Sequence, residues 1–148
     1  MNERTAPPVL EELSAEECLK LISPDGVGRI GFTTPSGPVV LPVNYTMHQE
    51  AILFRTAFDG PMDEDLNSGI EDLEFKVAFE VDHIDTATRE GWSVLVRGPA
   101  HRVSAEDELA AVRDSAPEPW AGGERRLYIR IAPVQLTGRR IRHPQASA

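Results

Sequence analysis

A two-residue alternation of apolar and other side chains limits most sharply what this chain can fold into. Val39, Leu41, Val43, Tyr45 and Met47 are interleaved with Val40, Pro42, Asn44 and Thr46. Phe75, Val77, Phe79 and Val81 are interleaved with Lys76, Ala78, Glu80 and Asp82. Successive side chains of a strand point to opposite faces, so the pattern specifies strands that bury one face. Val27 to Thr33, Ala51 to Thr56, Trp92 to Val103 and the stretch holding Leu127, Ile129 and Ile131 read as strands too. His48-Gln49-Glu50 supplies the turn of a hairpin. Six strands with mostly short connections predict a small antiparallel barrel. Helices do not alternate with the strands, which argues against a parallel α/β fold. The expected class is mainly β, within α+β, with short flanking helices.

The first of those helices is legible in detail. Ala15, Cys18, Leu19 and Ile22 recur at helical spacing. Ser14 and Glu17 form a capping-box pattern before them, and Pro24 and Gly26 stop the helix. Cys18 falls on the apolar face, which assigns it to packing. A second helix is predicted over roughly Ala105 to Arg113, starting at Ser104 with Asp107 three residues on. The polar ends lack periodicity and cannot offset the entropy of ordering them. The expected organisation is a flexible segment over 1–13, one domain over 14–141 and a flexible tail over 142–148.

Charge and composition narrow the setting. The 148 residues carry a formal net charge of −9. A polyanion is repelled by such a chain, so a general nucleic-acid binder is not expected. One cysteine excludes an intrachain disulfide and fits a reducing compartment. Met1 to Thr5 lacks the apolar run of a signal peptide, and no apolar run has the length to cross a membrane. A cytoplasmic location is the expectation. The four histidines are scattered, and no Cys/His spacing matches a zinc site. Phosphate-loop, dinucleotide and serine-hydrolase motifs are absent.

Three strand patches carry what chemistry there is. Pro42-Val43-Asn44-Tyr45 offers backbone and an amide beside a proline, which marks an edge or a bulge because it removes a ladder donor. Arg55-Thr56-Ala57 offers a guanidinium fork and a hydroxyl, suited to phosphate. Gly91-Trp92-Ser93-Val94 offers a flat ring and a second hydroxyl. Each also has an ordinary structural reading: an edge strand, a surface ion pair, a tryptophan closing a barrel end. Together they suit a ligand with a planar ring system at one end and a phosphate at the other.

The order of these patches, with Val27-Gly28-Arg29-Ile30-Gly31-Phe32, Val77-Ala78-Phe79-Glu80-Val81-Asp82 and Leu95-Val96-Arg97-Gly98, resembles the pyridoxamine 5′-phosphate oxidase-like family of flavin-binding split barrels. The resemblance implies a six-stranded antiparallel split β-barrel with Greek-key character, paired as a homodimer with flavin between the subunits. It implies FMN as cofactor, with Arg55 and Thr56 at the phosphate and Pro42, Val43, Asn44, Trp92 and Ser93 bordering the ring. It implies an oxidoreductase acting on a small organic substrate, with no residue assigned as catalytic acid or base. The family often places a lysine after the Arg-Thr strand. Here Phe58-Asp59-Gly60-Pro61-Met62 puts Met62 in its place, and seven acids but no lysine or arginine lie between Ala57 and Glu74. A weakened phosphate site is therefore expected. Two other readings stay open: a deazaflavin-dependent reductase of the same fold, and a non-enzymatic binding or regulatory dimer without flavin.

Overall fold

The computed structural model describes residues 7–56, 75–103, 106, 109, 110 and 127–144. The chain runs β1 (Val9–Leu13), α1 (Ala15–Ile22), β2 (Gly26–Thr34), β3 (Gly37–His48), β4 (Ala51–Thr56), β5 (Phe75–Asp85), β6 (Glu90–Arg102), β7 (Leu127–Ile131) and β8 (Gln135–Arg142). The sheet order is β1-β8-β6-β5-β2-β3-β4-β7, and β6 also pairs with β7. That last pairing closes β6, β5, β2, β3, β4 and β7 into a six-stranded antiparallel barrel. The three consecutive strands β2, β3 and β4 followed by β5 returning beside β2 make a Greek key. The six strands expected from the sequence are the barrel strands.

The core follows from the alternation. Ile30, Phe32, Tyr45, Phe54, Phe79, Val94, Val96, Ile129 and Ile131 point inward and are buried. Phe79 contacts Tyr45 edge-on at 5.3 Å and Phe54 at 6.3 Å between ring centroids. Tyr45 buries its hydroxyl and satisfies it by donating to the Ile22 carbonyl at 2.9 Å, tying the barrel to the end of α1. The helix begins as expected. Ser14 Oγ accepts the Glu17 N–H at 3.1 Å, and Glu17 Oε1 accepts the Ser14 N–H at 3.1 Å. Cys18 is buried, burial pushes its thiol pKa up, and it packs rather than reacts.

Two boundaries differ from expectation. Residues 9–13, expected to be flexible with the rest of 1–13, form β1 and pair with β8 from Gly138 to Arg142. The same pairing draws Arg142, expected in the tail, into the sheet. The register sets Glu11 opposite Arg140 and Glu12 opposite Arg139, and Arg142 grips Glu11 with two bonds at 2.8 and 3.1 Å. Val9 and Leu10 are exposed, so little apolar periodicity announces this strand. Its partner lies more than a hundred residues away. The tail over 145–148 and most of the helix expected over Ala105 to Arg113 lie outside the described residues.

The split in the barrel is at β6. One edge of β6 pairs with β5 throughout, from Glu90 to Ala100. The other pairs with β8 from Gly91 to Arg97 and then with β7 from Ala100 to Arg102. The link between β7 and β8 crosses beside Gly98, held by Ala132 N–H to the Pro99 carbonyl and Val134 N–H to the Arg97 carbonyl, both at 3.1 Å.

Candidate functional site

The first two sequence patches meet on the outer face of the barrel. Tyr45 and Phe54 are register partners that point into the core. Asn44 and Arg55 are the next residues on the two adjacent strands, so by alternation they face outward together. Both make polar or electrostatic contacts within the fold. The Arg55 guanidinium lies 5.4 Å from the centre of the Tyr128 ring, within cation–π range. Tyr128 is the β7 residue opposite Arg55. Such stacking restrains a guanidinium through its flat face. Thr56 follows at the end of β4, opposite Leu127.

Pro42 sits where β3 is an edge. The β3–β4 pairing covers only Tyr45 to His48, whereas β2 pairs with β3 from Gly37 to Tyr45. Pro42 therefore faces Arg29 on one side and lacks a ladder partner on the other among the described residues, which accounts for a residue with no N–H. It is exposed, while Val43 points inward and packs on the core.

Trp92 and Ser93 lie elsewhere, and on opposite faces of β6. Trp92 packs against the core at one barrel end, its ring 5.3 Å from that of His83. Ser93 faces outward in a row with Asp82 and Arg139. From β3 to β6 is three strand spacings, about 14 Å along the sheet. Ser93 lines a groove of about 620 Å³ with Glu80, Leu95, Thr137 and Arg139. With Trp92 it lines another of about 350 Å³ with Ile84, Arg89 and Ile141. Neither groove includes Pro42, Val43, Asn44 or Arg55. On one chain the first two patches are thus separate from the third. Met62 and the acidic stretch around it lie outside the described residues.

A charged cluster on this outer face was not singled out from the sequence. Arg29 approaches Glu80 at 3.5 Å and Asp82 at 3.4 Å. Glu80 and Asp82 are two apart on β5 and share one face. Burial, then the hydrogen bond and charge of Asp82, push the Glu80 pKa up to about 7, although Arg29 pulls the other way. The i, i+2 acids were visible in the sequence, but Arg29 joins them only through the β2–β5 register.

That pair predicts a pH-dependent stability. The folded chain keeps a proton on Glu80 that the unfolded chain releases near pH 4.5. Stability contributed by the protonated form is therefore lost as pH rises from about 4.5 through about 7. Glu80→Gln mimics the protonated form and is expected to flatten this decline. Above pH 7 the variant gains about 1 kcal/mol, less than the whole shift implies because the side chain is 35% exposed. Near pH 4 the two proteins should unfold alike. Urea titrations at pH 4.5 and 8 check this, and equal differences at both values would remove the assignment.

The chain's relationships agree with this architecture. The profile of the pyridoxamine 5′-phosphate oxidase family matches residues 14–140. The chain belongs to that family. Among its relatives is the uncharacterized protein Rv0080 of Mycobacterium tuberculosis, 31% identical over 130 residues, which span 88% of this chain and 84% of the relative. The FAD binding protein of Mycobacterium smegmatis superposes with a TM-score of 0.69 at 33% identity, covering 89% of this chain and 99% of that one. A Corynebacterium glutamicum protein provisionally assigned to the same oxidase family superposes with a TM-score of 0.76 at 28% identity, covering 97% and 100%. This family member thus shares its fold over nearly its whole length with flavin-binding split barrels. Among the described residues no helix is long and apolar enough to cross a membrane, and no cluster of three or more metal-ligating side chains occurs.

Proposed function

We propose that the protein is a flavin-dependent oxidoreductase acting on a small organic substrate, with FMN held between two copies of the chain. The observation that carries the reading is the outward-facing pair of Asn44 and Arg55, with Arg55 braced by Tyr128, in a chain 33% identical to a FAD binding protein. Arg55 holds the phosphate, with Thr56 beside it in sequence. Pro42 and Asn44 border the ring system along the open edge of β3. Trp92 and Ser93 are about 14 Å away within one chain, so the partner copy supplies them. When bound, the flavin supplies the electron transfer, and the protein orients it and limits access of water.

The first test is what the purified protein carries. An absorption spectrum with flavin bands supports the reading, and a clean protein spectrum that persists after reconstitution overturns it. FAD is the second reading, favoured by the name of the M. smegmatis relative. Chromatography of the released cofactor, before and after phosphodiesterase treatment, separates the two. Sedimentation equilibrium at micromolar concentration should give about twice the 16.3 kDa chain mass. A monomer would count against a shared site.

A further inference from the structure

A third groove lies at the other end of the same outer face. Val40, Gly31, Ala78, Arg97 and Gln135 are successive register partners across β3, β2, β5, β6 and β8. Their chain neighbours Ile30, Phe32, Val77, Phe79 and Val96 are buried, so the row faces outward. Gly31 and Ala78 are the smallest residues of the row and make its floor. The β2–β5 pairing stops at them. Beyond that point the two strands part, and a groove of about 550 Å³ opens along Phe32 and Val77. Its walls are apolar: Val40 is 66% and Val134 71% exposed, with Pro38 and Pro99 nearby. Large apolar side chains so placed mark a surface built to be covered.

The charge of the groove runs against the charge of the chain. Lys76 and Arg97 are its only charged lining residues among those described, and no carboxylate lines it. The chain as a whole has a net charge of −9 and only two lysines. An apolar trough with two cations and no acid complements a molecule with an apolar body and one anionic head. Its volume falls within the range of small-molecule sites, about 300–1,000 Å³.

We propose that this groove binds a small aromatic carboxylate, its ring over Gly31 and Ala78 and its carboxylate between Lys76 and Arg97. The inference does not rest on the flavin reading, since none of the residues assigned to flavin lines the groove.

Calorimetric titration of the full chain with 2-naphthoate, and with 2-naphthalenemethanol as a neutral counterpart, tests it. The carboxylate is expected to bind one per chain and at least about 10-fold more tightly than the alcohol at low salt. Lys76→Gln with Arg97→Gln should abolish that preference and leave the weak binding of the alcohol. Gly31→Leu should block both ligands. A Cβ at Gly31 meets nothing nearer than 3.9 Å, so the fold tolerates a side chain there. Its thermal midpoint and flavin content should match the parent. Absence of millimolar binding, equal binding of both ligands, or full binding by Gly31→Leu would overturn the proposal. So would a Gly31→Leu protein that turns monomeric while the parent binds neither ligand, since the groove would then be a subunit contact.

Discussion

Replacing Arg55 with alanine is expected to weaken FMN binding about 10- to 100-fold and to leave riboflavin binding nearly unchanged. The two ligands differ only in the phosphate, so the comparison isolates one contact. Arg55 faces outward at the end of β4 and is held over Tyr128 at 5.4 Å. A guanidinium so placed loses little freedom when it takes an anion, and a charge-assisted hydrogen bond is worth roughly 1.5–3 kcal/mol. With Met62 where relatives often carry lysine, the proposed phosphate contact leans more heavily on Arg55. Tyr128→Leu should retain the charge but loosen its support, giving a smaller loss of the same sign. Fluorescence titration with both ligands reads the effect. Equal losses for FMN and riboflavin would remove Arg55 from the phosphate and leave it a structural role.

Gly98→Ala is expected to destabilise the fold by at least about 3 kcal/mol and to lower Tm by about 10 °C. A Cβ at Gly98 would lie 1.8 Å from the Ala132 carbonyl oxygen and 3.0 Å from its carbon. Both are backbone atoms, so no rotamer change relieves the contact. The link containing Ala132 is fixed by hydrogen bonds to Pro99 and Arg97. It also joins β7 to β8 at the point where β6 exchanges one neighbour for the other. Relief would require breaking one of those pairings. Gly31→Ala is the control, because its Cβ finds only ordinary contacts at 3.9 Å. Thermal and urea unfolding of the two variants should differ widely. A Gly98→Ala protein melting within about 2 °C of the parent would show that the crossing can shift.

The grouping of Trp92 with Ser93 shows what reading by patch leaves out. Neighbours on a strand face opposite ways, so Trp92 packs toward the core and Ser93 faces outward, although both line the groove beside Ile84 and Ile141. The period-two rule was available in the sequence, but the family pattern joined them as a unit. The Arg29–Glu80–Asp82 cluster shows a different limit. Glu80 and Asp82 were visible as outward positions, yet only the β2–β5 register brings a β2 arginine within 3.5 Å of acids fifty residues later.

What the sequence determined by itself is local. Alternation specified β3 and β5, each of which buries one face, and short apolar segments marked the other four barrel strands. The Ser14–Glu17 box and Pro24 bounded the helix because capping and helix termination involve residues a few positions apart. Pro42 announced an open strand edge because it has no N–H to give. The tertiary structure decided everything that depends on register between distant segments. It added β1 to β8 through pairs of glutamate and arginine that carry no apolar period. It made β6 change partners at Gly98, where only a missing side chain lets two backbones approach. It also separated Asn44 from Ser93, because β2 and β5 lie between β3 and β6. Strand propensity is short-ranged, whereas sheet order and face-to-face neighbours are set by how the whole chain closes on its core.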